Sequence, residues 1–128
     1  MGKEVFLNHI ALQCSYSEKA KIFFTEILGL PLEKKFVVSK ELSEIIFGIV
    51  KDVEVEVYSN NRVRFEVFII QNEENHGFEH VCVEIDNKKE FIERCKKYDL
   101  KTIIVEKNGK NLLFVKDFSG NLFEIKEK

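Results

Sequence analysis

Asn8-His9-Ile10-Ala11-Leu12 and Glu79-His80-Val81-Cys82-Val83 are two short apolar stretches, rich in strand formers, that carry a histidine at the same place. A second pair follows the same rule: Phe65-Glu66-Val67 matches Phe123-Glu124-Ile125, each a strand with a glutamate between apolar neighbours. One histidine on a first strand and one glutamate on a last strand, occurring twice, marks an internal repeat. The chain therefore reads as a single domain, 1–128, made of two modules, 1–74 and 75–128.

Working outward from the first pair, Val5 to Leu12 reads as a strand, and Ser15-Tyr16-Ser17 after it offers N-cap hydroxyls for a helix. Ala20, Phe23, Phe24, Ile27 and Leu28 recur at helical spacing, and Gly29 and Pro31 supply the stop. Glu33 to Val38 fits a strand. Lys40 to Val50 fits a short helix as well as a strand and lies where the first module is longer than the second. Val53 to Val57 and Val63 to Ile70 form a hairpin around Ser59-Asn60-Asn61-Arg62.

The second module repeats this order. Its first strand ends at Ile85, and Asp86 or Asn87 opens a helix with Glu90 as capping-box partner. The strands Lys101 to Glu106, Leu112 to Lys116 and Asn121 to Ile125 follow, separated by turn-rich residues. The order is βαβββ twice, an α+β fold. We expect the two modules to form one curved, cup-shaped mixed sheet with helices on its convex face.

Composition narrows the partners. Twenty Lys and Arg against 22 Asp and Glu give a net charge of −2, with no basic field for a phosphate backbone, so nucleic acid is not expected. The longest apolar run, around Ile45 to Val50, is far short of the ~20 residues of a membrane span, and the charged start lacks a signal-peptide core. A cytoplasmic protein with a small-molecule partner is the expectation. Cys14, Cys82 and Cys95 are odd in number and widely spaced, so they read as reduced thiols.

Strand alternation sends Val81, Val83 and Ile85 to a packed face and His80, Cys82 and Glu84 to the other. The same rule puts Ile10 and Leu12 on the packed face and His9 and Ala11 opposite, groups Glu66 with Arg64 and Phe68, and groups Glu124 with Leu122 and Lys126. His9, Glu66, His80 and Glu124 would then line one concave face. Two imidazoles and two carboxylates suit a divalent metal ion, Zn, Ni, Co or Fe, with waters completing the shell. Such a site could chelate two neighbouring substrate oxygens while Glu124 or Glu66 acts as the base.

These strands, together with Phe23-Phe24-Thr25-Glu26-Ile27-Leu28-Gly29-Leu30 and Asp117-Phe118-Ser119-Gly120-Asn121-Leu122-Phe123-Glu124-Ile125, resemble the vicinal oxygen chelate superfamily over nearly the whole chain. The last stretch resembles the family ending Asp-Pro-x-Gly-Asn-x-x-Glu, with Phe118 in place of Pro. The resemblance implies that His9, Glu66, His80 and Glu124 occupy the four ligand positions of glyoxalase I. It also implies a metal-dependent lyase or isomerase that stabilises an enediolate from a thiohemiacetal. An acyl-CoA epimerase, where Gln commonly stands in place of Glu66, is the enzymatic alternative, and a resistance-type binding protein, as in bleomycin resistance, is the non-catalytic one. Extradiol dioxygenases of the superfamily generally use two His and one Glu. By fold analogy a homodimer is expected, with the site within one chain or shared between two.

Other residues have plainer readings. His76 fits a solvated turn, Cys82 a small hydrophobe, and Glu54 and Glu56 either a solvent face or a pocket border. Phe23, Phe24 and Phe91 fit helix-face core. Arg64 could bind a substrate carboxylate.

Overall fold

The computed structural model describes residues 8–71, 81–107 and 109–127. The first module runs β1 (Ile10–Cys14), α1 (Ser17–Lys21), a π-helical segment (Ile22–Ile27), β2 (Leu32–Val38), α2 (Lys40–Phe47), β3 (Val53–Ser59) and β4 (Arg64–Ile69). The second runs β5 (Val81–Ile85), α3 (Lys88–Lys97), β6 (Thr102–Lys107), β7 (Lys110–Lys116) and β8 (Leu122–Glu127). The segment that fitted helix and strand equally is α2. Ser39 caps it by accepting from the Leu42 amide, and Gly48, at φ 70°, closes it in the left-handed region. Among the described residues no helix is long and apolar enough to cross a membrane.

The repeat is reproduced in the sheet registers. β1 pairs in parallel with β4, setting Ala11 beside Glu66, and β5 pairs in parallel with β8, setting Cys82 beside Glu124. The strand orders are β1-β4-β3-β2 and β5-β8-β7-β6. This corrects the expected architecture: the modules form two separate four-stranded mixed sheets, neither closed nor strongly curled, and not one curved, cup-shaped sheet. The helices do not all share one side either, because the segment carrying α2 crosses the opposite face of the first sheet.

Aromatic packing explains why the sheets stay separate yet joined. Phe65 of β4 and Phe123 of β8 lie in one core, their rings 5.9 Å apart, with Phe23 and Phe24 wedged against them. Phe23 meets Phe123 at 5.0 Å, while Phe24 stacks on Tyr58 at 5.2 Å and meets Phe65 at 5.3 Å. The π-helical hydrogen bonds, such as Leu28 N to Phe23 O at 2.9 Å, widen the turn so that two consecutive phenylalanines are both fully buried. A smaller cluster lies on the other face of the first sheet: Val38, Val53, Val55 and Ile70, with Ile49 and Phe68 against it.

Two local expectations change. Tyr16, and neither Ser15 nor Ser17, occupies the N-cap of α1, without a side-chain cap bond. Its neighbours are used elsewhere: the Ser15 amide donates to Ser119 Oγ, and the Ser17 hydroxyl donates to Glu56. β1 is Ile10–Cys14, ending two residues later than the strand expected over 5–12, whose first three residues lie outside the described ones.

Candidate functional site

Phe65 and Val67 are fully buried in the shared core, so strand alternation turns Glu66 to the open face of its sheet, with Arg64 and Phe68. His9 stands just before β1 and reaches the same place. Its Nδ1 lies 2.7 Å from Asn8 Oδ1 and 3.5 Å from Glu66 Oε2. Both neighbours are acceptors, so Nδ1 carries a proton, and in the neutral tautomer Nε2 is the nitrogen left to bind a ligand. Arg64 completes the group. Its Nε is 3.8 Å from Glu66 Oε2, and its Nη1 is 3.0 Å from both carboxylate oxygens of Glu33. Glu33 also accepts from the Ser59 hydroxyl at 2.6 Å, and that bond, with Arg64 behind it, holds its carboxyl below the usual range.

On the second sheet, Phe123 and Ile125 enter the same core, so Glu124 points to that sheet's open face, in register with Cys82 and Phe114. The structure thus brings His9 and Glu66 together and places Glu124 on a different sheet. His80 lies outside the described residues, as does His76. Among the described residues no group of three or more His, Cys, Asp or Glu is arranged to hold a metal. The nitrogen and oxygen donors of His9 and Glu66 nevertheless suit a divalent ion, and Glu124 occupies the position equivalent to Glu66 in the repeat. A cleft of about 710 Å³ runs along β5, lined among others by Arg62, Cys82, Glu84, Glu90 and Arg94 but by neither Glu66 nor Glu124.

Sequence reading missed a buried polar pair of sites. Glu54 is exposed, as its bland reading expected, but Glu56 is only 1% exposed on the helix-packed face. There it accepts from Ser17 and, at 2.7 Å, from the Tyr58 hydroxyl, with Lys35 Nζ at 3.7 Å. Burial first, then this bond to a carboxylate, pushes the Tyr58 phenol far up. The strict alternation of Val53 to Val57 hides Glu56 because the pattern does not say which side is covered. Asp117 is likewise 5% exposed. It accepts from the Ser119 and Asn121 amides, the Asn121 side chain and the Cys14 thiol.

The thiols behave as expected for reduced cysteines. Burial, then the Asp117 charge, drives Cys14 up, and burial pushes Cys95 up to about 11. Cys82 is exposed but is also raised, by partial desolvation and then by Glu124. None is an activated nucleophile.

Comparison with known proteins accords with this arrangement. Residues 8–114 match the model of the Glyoxalase/Bleomycin resistance protein/Dioxygenase superfamily. The chain is 25% identical over 128 residues to human mitochondrial methylmalonyl-CoA epimerase, covering 94% of this chain and 73% of that one. A glyoxalase family protein from Bacillus cereus superposes with a TM-score of 0.74 at 19% identity, covering 98% of this chain and 95% of the other. The fosfomycin resistance protein FosX from Listeria monocytogenes superposes with a TM-score of 0.73 at 14% identity, again over 98% and 95% of the two chains. With the duplicated module, its registers and a match across residues 8–114 in agreement, the chain belongs to the Glyoxalase/Bleomycin resistance protein/Dioxygenase superfamily.

Proposed function

We propose that this protein is a metal-dependent enzyme that moves a proton at the carbon α to the carbonyl of a small, carboxylated acyl thioester, an epimerase-type reaction. The observation that carries the reading is Arg64, whose guanidinium lies beside Glu66, the carboxylate that His9 also approaches, on the outer face of the first sheet. A planar guanidinium next to a carboxylate base suits a substrate with an anionic group one or two bonds from the reacting carbon. The similarity to methylmalonyl-CoA epimerase supports the same class.

His9, Glu66, His80 and Glu124 would hold a divalent ion, Zn, Ni, Co or Fe, which when bound supplies Lewis-acid polarisation of the carbonyl. Glu66 and Glu124 are the residues able to take the α-proton and return it. The Asn8 acceptor fixes the His9 tautomer and leaves Nε2 as its donor. Arg64 exchanges its Glu33 partner for the substrate carboxylate.

A second reading, the glyoxalase-type lyase acting on a thiohemiacetal, is favoured by one observation: position 66 holds a carboxylate where epimerases commonly have Gln. The two readings separate in one experiment. The metal-loaded protein is incubated in D₂O with methylmalonyl thioester, and deuterium at the α-carbon is followed by NMR. Exchange lost in Glu124→Gln is the expected result. Arg64→Ala should raise KM roughly ten- to a hundredfold for the carboxylated substrate, from the ~1.5–3 kcal/mol of a charge-assisted hydrogen bond. Absence of exchange, with turnover of methylglyoxal plus a thiol, would transfer the assignment to the lyase. Failure to take up any metal would remove both.

A further inference from the structure

β2 departs from regular pairing at one residue. Leu32 stands opposite Tyr58 and Lys34 opposite Val57, so β2 advances two residues while β3 advances one, and Glu33 is the extra residue of a β-bulge. Leu32 packs on the main core, whereas Val57 is paired with Glu66 and shares its outer side of the sheet. The bulge turns Glu33 to that outer side too, where Ser59 and Arg64 are paired on β3 and β4. There the Ser59 hydroxyl donates to Glu33 Oε1 at 2.6 Å, and Arg64 Nη1 donates to both Glu33 oxygens at 3.0 Å.

The second module has no counterpart. β6 and β7 pair residue for residue from Thr102 with Val115 to Lys107 with Lys110. With Glu124 equivalent to Glu66, Leu122 stands in the place of Arg64, and its partner Lys116 in the place of Ser59. The bulge and its contacts therefore belong only to the module that carries the guanidinium. The side chains of Arg64 and Glu33 are 28% and 41% exposed, so water reaches both, and the pair is weak enough to be broken by a ligand. It forms by default because a tethered carboxylate acts at an effective concentration that a free one has to exceed.

We propose that Glu33 is a specificity-determining residue that works as a built-in competitor: its carboxylate occupies Arg64 in the free protein, and only a ligand carrying a carboxylate of its own displaces it. The inference rests on the reading of Arg64 as the anchor of the substrate's anionic group. A ligand carboxylate replaces one charge-assisted contact by another, so the exchange costs little. A neutral ligand offers the guanidinium nothing equal to what it gives up. Glu33 thus lowers the affinity for every ligand by the fraction of Arg64 it holds, and a carboxylated ligand alone regains the contact.

The test titrates the full chain with methylmalonate, in EDTA so that no metal chelates the probe, and follows the Arg64 Nε–H resonance, assigned by its loss in Arg64→Lys. Glu33→Gln and Glu33→Ala should each lower the half-saturating concentration, by roughly three- to tenfold for Ala. Glu54→Ala removes the same charge from the neighbouring strand without touching Arg64 and should change nothing. With the metal-loaded protein, Glu33→Ala should lower KM for the methylmalonyl thioester and retain deuterium exchange. Unchanged or weaker methylmalonate binding in Glu33→Ala overturns the proposal, as does equal tightening in Glu54→Ala, which would mean a general field. Tighter binding in Glu33→Ala without any deuterium exchange would remove the epimerase reaction and leave the competition at Arg64 standing. Exchange with an affinity indifferent to Glu33 would do the reverse.

Discussion

Asp117 shows how a residue that looks like a family signature does structural work. Its carboxylate gathers the Ser119 and Asn121 amides of its own turn, while Asn121 Nδ2 donates to Gln13 O at 2.8 Å. With the Cys14 thiol and the Ser15 amide to Ser119, these bonds fasten the end of β1 to the β7–β8 turn, joining the modules. Asp117→Asn turns an acceptor toward Asn121 into a donor and should cost about 1–3 kcal/mol, read as a lower urea midpoint. Burial outweighs these bonds and raises the Asp117 carboxyl above its ordinary value. The folded protein therefore keeps that proton to higher pH than the unfolded chain. This group's contribution is full below the ordinary carboxylate range and is lost as pH rises through its folded pKa. Comparing urea midpoints across acidic pH, the wild-type midpoint should fall relative to that of Asp117→Asn as pH rises.

At the scale of elements, the π-helical segment decides how the modules meet. An α-helical turn would set Phe23 and Phe24 about 100° apart around the axis. The wider turn instead lets both rings reach the core, one against Phe123 and the other against Tyr58 and Phe65. Phe24→Ala should destabilise the protein by about 3–5 kcal/mol, measured by chemical denaturation. A loss below 1 kcal/mol would mean that the ring is not shared by the two sheets as described.

For the molecule as a whole, the main core mixes Phe23, Phe24 and Phe65 with Phe91, Leu113 and Phe123, so both modules share it, and the first module adds only the small cluster of Val38, Val53, Val55 and Ile70. We expect one cooperative unfolding transition. Amide exchange in β4 and β8 should report the same free energy of opening. Two transitions separated in urea would contradict this.

Much of this was legible in the residues themselves. The repeat that sets Glu66 and Glu124 at equivalent strand positions, the alternation that sends Phe65 inward and Glu66 outward, and the hairpin around Asn60, whose side chain accepts from the Arg62 and Val63 amides, are local properties. A strand's two-residue period and a turn's side-chain bond need no partner to be read. What covers a face, and which faces meet, depends on contacts far apart in sequence. Only the tertiary structure therefore showed that Glu56 is buried rather than solvated and that the segment carrying α2 packs over part of the outer face of the first sheet. It also replaced the single cup-shaped sheet by two sheets on one aromatic core, because the rings that join them come from four elements whose spacing in the chain does not reveal their contact.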